Sequence, residues 1–211
     1  MNDKEAIRID QAEVAERLKS KRIKGKNRMT VAAKLIGRHN EVLEIGCRCG
    51  EVTRLYASKN YVTGIDFIPE FIEEVKELKG DYFVWDADKG LGCFEDKSFD
   101  VVFIGETLEY LHNRNRCLKE IRRVLRKDGR LIICEVNKFS LRRRLKFLFG
   151  EEIHDLKYYI HFFHHKELRR LITRNGFRIT KWINFGTHVK NIKLPIATKD
   201  LCDTWVIEAR R

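Results

Sequence analysis

No run of about 18 apolar residues occurs in the 211-residue chain, so a membrane-spanning helix is not expected. The opening residues MNDKEAIRID mix both charges and lack the apolar core of a secretory signal, which points to a soluble, cytoplasmic protein. Cys-x-x-Cys pairs are missing as well. The six cysteines, Cys47, Cys49, Cys93, Cys117, Cys134 and Cys202, are scattered, and read as core thiols in a reducing compartment rather than as a zinc site. His154, His161, His164 and His165 form no recognised zinc-binding motif, and no metal is expected. Acid is in short supply. The resulting formal charge of +12 admits RNA or another anionic partner, and also suits proteins that bind small anions or none.

What is present is organised around Glu41 to Tyr56, EVLEIGCRCGEVTRLY. Val42, Leu43 and Ile45 form a short apolar run of strand type, Gly46 and Gly50 bracket a turn, and Val52, Leu55 and Tyr56 resume at helical spacing. Strand, glycine turn and helix in that order let a ligand approach the backbone and offer it the free N–H groups of a helix N-terminus. The acid Glu44 beside the turn argues against phosphate and for a ligand carrying positive charge or hydroxyls. Upstream, residues 1–38 contain no strand-like run. Ile9, Val14 and Leu18, then Met29, Ala33 and Ile36, recur at helical intervals and predict an N-terminal cap of two helices. Between them Arg17 to Arg28 carries seven basic residues and no acid, a solvated face or a surface for an anionic partner.

Tyr61 to Asp66, YVTGID, reads as a second strand ending in an acid. Asp66 lies 16 residues beyond Gly50, the distance at which a second-strand carboxylate accepts hydrogen bonds from two ribose hydroxyls. Pro69 opens a helix with Phe71, Ile72, Val75 and Leu78 on its apolar side. Asp81 to Trp85 forms a third strand, followed at once by Asp86, Ala87 and Asp88; Phe99 to Ile104 is a fourth, with Gly105 and Glu106 at its end; Arg130 to Val136 is a fifth. This alternation predicts an α/β fold, a doubly wound, mostly parallel sheet with helices on both faces, in a single domain over residues 1–211.

In VLEIGCRCG, GIDF, WDAD, FDVVFIGETLEYL and KEIRRVLRKDGRLIICEV, in that order, the chain resembles class I S-adenosylmethionine-dependent methyltransferases. NGFRITKW and TWVIEARR are similar to that family's closing strands. The resemblance implies a seven-stranded Rossmann-like sheet whose antiparallel seventh strand, here Asp203 to Ala209, lies between the fifth and sixth. It implies S-adenosylmethionine as cofactor, with Glu44 and the backbone of Gly46, Cys47, Arg48 and Gly50 facing its methionine portion. Asp66 then holds the ribose hydroxyls, Phe67 packs on the adenine, Asp86 and Ala87 meet the adenine edge, and Gly105 with Glu106 sits beside the sulfonium. One position departs from the family. Arg48 stands where a third glycine is usual; if positive φ is required there, Arg adds strain and bulk, and its side chain either points outward or reaches the cofactor carboxylate.

Methyl transfer from a sulfonium depends on positioning and water exclusion, with a base needed only when the acceptor must lose a proton. The Asn/Asp-Pro-Pro-aromatic stretch of exocyclic-amine nucleic-acid enzymes is absent after strand four, as is the Pro-Cys of cytosine C5 enzymes. From Cys134 onward the chain resembles MetW-like methyltransferases, in Asn137, in Arg142, Arg143 and Arg144, and in Phe162-Phe163, while Tyr159, His161 and His164 depart from their pattern. Residues 137–165 thus read as a substrate-side insertion, with His161 and His164 as general-base candidates and Tyr158, Tyr159, Phe162 and Phe163 as pocket lining or core. The expected function is methyl transfer to a small-molecule acceptor, a metabolite or sugar. The alternatives are RNA methylation and a non-catalytic, cofactor-binding partner of another enzyme.

Overall fold

Strand β1, Glu41–Ile45, sends alternate side chains to opposite sides: Val42 joins one apolar cluster and Leu43 with Ile45 the other. The same division holds for Val101 and Phe103 against Val102 and Ile104, and for Ile132 and Cys134 against Leu131 and Ile133. Strands apolar on both faces require helices on both faces. The computed structural model describes residues 27–150, 160–186 and 198–211, with the backbone of 188–189 and 192–193. The first expected helix, the basic residues before Asn27, and His154, Tyr158 and Tyr159 lie outside the described residues.

Strands β2 (Tyr61–Asp66), β3 (Asp81–Val84), β4 (Phe99–Gly105), β5 (Leu125–Val136), β6 (Arg178–Phe185) and β7 (Thr204–Arg210) complete a sheet in the order β3-β2-β1-β4-β5-β7-β6. β1 pairs in parallel with both β2 and β4, and β7 runs antiparallel to both β5 and β6, in the place expected for Asp203 to Ala209. The winding direction reverses between β1 and β4. Open parallel sheets form their ligand crevice at the carboxyl ends of strands beside such a reversal.

Helix α1 (Arg28–Ile36) buries Ala32 and Ile36 on one face of the sheet. Its start is a capping box, with Asn27 Oδ1 accepting from Thr30 N and Thr30 Oγ1 accepting from Asn27 N, each at 3.0 Å. At its other end the Arg130 guanidinium donates to the carbonyls of Leu35 and Ile36, tying the helix to β5. α2 (Pro69–Val75) shares that face through Ile72 and Val75. α3 (Arg114–Val124) covers the opposite face with Cys117, Leu118, Ile121 and Val124, and α5 (His165–Arg174) joins it with Leu168 and Ile172. Between them in sequence lies α4 (Leu141–Leu148), directly after β5. Five of the six cysteines are buried; Cys93 is exposed. Among the described residues no helix is long and apolar enough to cross a membrane.

Two elements differ from expectation. The segment after the glycine turn forms no α-helix but two 3-10 turns, Thr53–Leu55 and Ala57–Lys59. Thr53 Oγ1 (2.6 Å) and Tyr56 OH (2.5 Å) both donate to Glu44 Oε2, and side chains three apart eclipse only in the tighter 3-10 turn. β5 begins at Leu125 instead of Arg130. Leu125 pairs with Phe99, the register then shifts, and regular pairing resumes at Arg130 opposite Val101.

Candidate functional site

Four non-glycine residues among those described have positive φ, and two of them, Arg48 (φ 48) and Glu106 (φ 51), line one cleft at the β1–β4 reversal. Backbone strain of this kind collects at functional sites. Gly46, between them, has φ 78, and a Cβ there would lie 2.1 Å from Thr107 Oγ1. The loop thus combines a position that only glycine fits with one where arginine is held in a glycine conformation. The space bounded by these loops is about 640 Å³ and opens to solvent.

Asp66, at the end of β2, is buried beneath the cleft. Its Oδ2 accepts from Arg48 N at 3.1 Å and its Oδ1 from Ile68 N at 3.0 Å. Burial pushes its carboxyl up to about 6, against the pull of these backbone N–H groups. Two fixed donors orient the carboxylate while leaving lone pairs for hydroxyls in the cleft. Phe67, Asp86 and Ala87 also line the cleft, as expected, and Asp86 Oδ1 accepts from Asp88 N at 3.1 Å.

The Arg48 side chain is directed into the cleft, not outward. It lines the cleft, with its guanidinium 5.8 Å from the Phe71 ring centroid and with Nε and Nη2 buried and lacking a hydrogen-bond partner. Unsatisfied buried donors are costly, so the position favours an anionic group in the cleft. The 3-10 turns that replace the expected helix provide no long helix dipole here, and Arg48 supplies positive charge instead.

Glu106 accepts from Arg28 at the start of α1, with Nη2 at 2.5 Å and Nε at 2.7 Å. Burial disfavours the Arg28 charge, but the Glu106 carboxylate outweighs it and raises the guanidinium above its ordinary value. The last residue of the basic stretch is therefore tied to a carboxylate that lines the cleft. Behind Glu106 lies a buried polar group made of Glu109, Glu135, Lys138 and Arg143, with Lys138 Nζ 3.9 Å from Glu109 Oε1. Burial, then the neighbouring Glu109 charge, pushes Glu135 well above the carboxylate range, so it carries the proton of the pair.

Several expected site residues are placed elsewhere. Glu44 does not line the cleft but is buried under the glycine turn with Thr53 and Tyr56, and burial pushes it up to about 7. Cys47, Gly50 and Gly105 are likewise not lining residues; a Cβ on Gly50 would meet Val75 at 2.7 Å, so that glycine serves packing. His161 and His164 also lie off the cleft. His161 Nε2 is 2.6 Å from Glu167 Oε1, and His164 Nε2 is 3.2 Å from Asp200 Oδ1. His164, His165 and Asp200 form a possible ligand set for a metal. Lys166 N, however, donates to His164 Nδ1 at 3.4 Å, which puts the ring proton on Nε2, where it bonds Asp200. Asn137 is structural, its Nδ2 donating to the carbonyls of Asp200 (3.1 Å) and Cys202 (2.8 Å).

Sequence reasoning missed Arg28, Trp85, Thr107 and Tyr110. Trp85 and Thr107 stand within the recognised strand-end motifs and were within reach of it; Arg28 is 78 residues from Glu106, and no spacing rule connects them.

The fold is that of solved S-adenosylmethionine-dependent methyltransferases. A solved S-adenosylmethionine-dependent methyltransferase from Archaeoglobus fulgidus aligns with a TM-score of 0.68 at 21% identity, covering 88% of this chain and 95% of that one. At that identity the likeness is one of fold. Residues 43–133 match the family described as methyltransferase domain. The chain is 36% identical over 101 residues to the demethylmenaquinone methyltransferase of Thermotoga maritima, covering 46% of this chain and 43% of that protein. Over 125 residues it is 32% identical to the phosphatidylethanolamine N-methyltransferase of Cereibacter sphaeroides, covering 54% and 58%. The match thus spans a little under half the length of the demethylmenaquinone methyltransferases of Thermotoga maritima and Tropheryma whipplei.

Proposed function

We propose that the protein binds S-adenosylmethionine in the β1–β4 cleft and transfers its methyl group to a small-molecule acceptor. One observation carries this reading: Arg48, with buried donors lacking partners, and Asp66, held by two backbone N–H groups, face the same cleft beside a glycine that admits no side chain. The donor set fits the cofactor's groups. Arg48 is suited to its carboxylate, Asp66 to its ribose hydroxyls, Phe67 with Ala87 to its adenine, and the Glu106 carboxylate to positive charge. When bound, this cofactor supplies an electrophilic methyl group. The chain's own residues orient it and exclude water, and the Arg28–Glu106 pair closes the side toward α1.

Relatives named for demethylmenaquinone and phosphatidylethanolamine make a lipid-type acceptor the first to test. The basic stretch gives RNA less support, because Arg28 pairs with Glu106 and Arg143 is buried. The test is incubation with methyl-labelled S-adenosylmethionine and separate lipid-extract, polar-metabolite, RNA and protein pools, with Asp66→Ala as control. Label in a small-molecule pool that the variant loses is the expected result. Label in RNA or protein, or no cofactor binding by the unaltered chain in calorimetry, overturns the reading.

A further inference from the structure

Helix α4 leaves the carboxyl end of β5, the edge of the sheet on which the cleft opens. Its inner side is anchored by Arg143, which is buried and donates through Nη1 to Asn137 O at 3.3 Å. Its outer end is of a different character. Phe147, Leu148 and Phe149 are 81%, 74% and 74% exposed, in succession, and Phe139 just before the helix is 42% exposed. Single exposed apolar residues are ordinary, but three adjoining ones on a soluble surface call for a partner.

The charge carried by the segment itself is of one sign. Residues 138–150, KFSLRRRLKFLFG, contain Lys138, Arg142, Arg143, Arg144 and Lys146 and no acid. Arg144 is exposed and donates through Nε to Phe139 O at 2.7 Å, which holds its cation beside the exposed ring. Arg142 faces Asp203 at 3.6 Å, an acid from the β7 side, and Glu151 and Glu152 follow outside the described residues. A short cationic helix ending in large apolar side chains matches the two layers of an anionic membrane surface, phosphates outside and acyl chains just beneath.

We propose that α4 docks the protein on anionic lipid bilayers, with Phe147, Leu148 and Phe149 entering the acyl boundary and Arg142, Arg144 and Lys146 meeting lipid phosphates. The contact lies on the edge where the cleft opens, so docking brings the cleft toward the bilayer. Vesicle binding needs no cofactor and no turnover, and its outcome is independent of the methyl-transfer reading.

The test is flotation of the full chain with vesicles of phosphatidylcholine alone and of phosphatidylcholine with one part in four phosphatidylglycerol, at low and high salt. The chain is expected to float with the anionic vesicles at low salt, and to bind neutral ones at least about tenfold more weakly. Phe147→Ala/Leu148→Ala/Phe149→Ala should lower anionic-vesicle binding by at least about tenfold with an unchanged thermal melt, because these side chains are exposed. Phe147→Trp should show an emission blue shift on anionic vesicles. Failure of the unaltered chain to float, or flotation of the triple variant equal to it, overturns the proposal. So does a dimer in solution that the triple variant converts to monomer without any vesicle binding, since the patch then serves a second copy of the chain.

Discussion

Arg48 performs two tasks that pull against each other. Its backbone sits at φ 48, where an L side chain costs roughly 1 kcal/mol, and its N–H holds Asp66. Its side chain brings the buried cationic donors of the cleft. Arg48→Gly should therefore raise thermal stability by about 1 kcal/mol while weakening S-adenosylmethionine binding roughly tenfold to a hundredfold, and Arg48→Ala should weaken binding without the gain in stability. Calorimetry and thermal melts on both variants separate the two effects. On the proposed reading Asp66 sets the pH range of the same site. Burial pushes its carboxyl up to about 6, so the ionised form, the one suited to accepting hydroxyls, prevails above that pH and is lost as pH falls through it. Cofactor affinity should thus drop below about pH 6, approaching about tenfold per unit. Affinity that stays constant from pH 7 to about 5 would remove Asp66 from the ribose role.

At the scale of elements, the 3-10 turns and α1 determine what the cleft becomes. Glu44 holds the turns through Thr53 and Tyr56, and burial raises its folded value to about 7, above the ordinary carboxylate. A raised acid stabilises the fold fully below its unfolded value, and that contribution declines as pH rises toward 7. Stability should fall across this window by on the order of 3 kcal/mol from this group, and Glu44→Gln should flatten that slope in denaturant melts taken at several pH values. In α1, Arg28→Ala removes the cation facing Glu106 and leaves the capping box intact. The expected result is unaltered folding with a severalfold faster cofactor release, read by stopped-flow tryptophan fluorescence, since Trp85 lines the cleft. An unchanged release rate would show that the pair does not close the site.

Across the whole molecule, the alternation of short apolar runs and helical spacings made the parallel strands legible, down to Tyr61–Asp66 as β2, while the place of β7 between its neighbours followed from the family resemblance alone. Where the sequence misled, long-range contacts were responsible. Val52, Leu55 and Tyr56 do have helical spacing, yet Thr53 and Tyr56 are drawn to one carboxylate on β1. His161 and His164 look available in HFFHH, and their acidic partners are Glu167 in the following helix and Asp200 far along the chain. Asp66 was legible from its spacing at a strand end, and the family resemblance pointed to Phe67, Asp86, Ala87 and Glu106, which also stand at strand ends and line the cleft. The buried Glu109–Glu135 pair was not, because burial cannot be read from a single Glu. At the level of the whole fold, Glu135→Gln should cost little near neutral pH, within about 1 kcal/mol, whereas Lys138→Met should cost about 3 kcal/mol by removing one of the two cations that face Glu109. Chemical denaturation of the two variants distinguishes them.

The distribution of thiols gives this molecule a clock for its own opening. Cys93 is exposed and will react at once with a thiol reagent, whereas Cys134 lies beneath α1, its Sγ 3.9 Å from Met29 Sδ. Burial raises the Cys134 thiol well above its ordinary value, so it stays inert while the helix is seated. With Cys93 replaced by serine, the rate at which Cys134 becomes labelled times the lifting of α1 from the sheet, and a cofactor that seals the cleft through Arg28 would slow that clock without touching the cysteine.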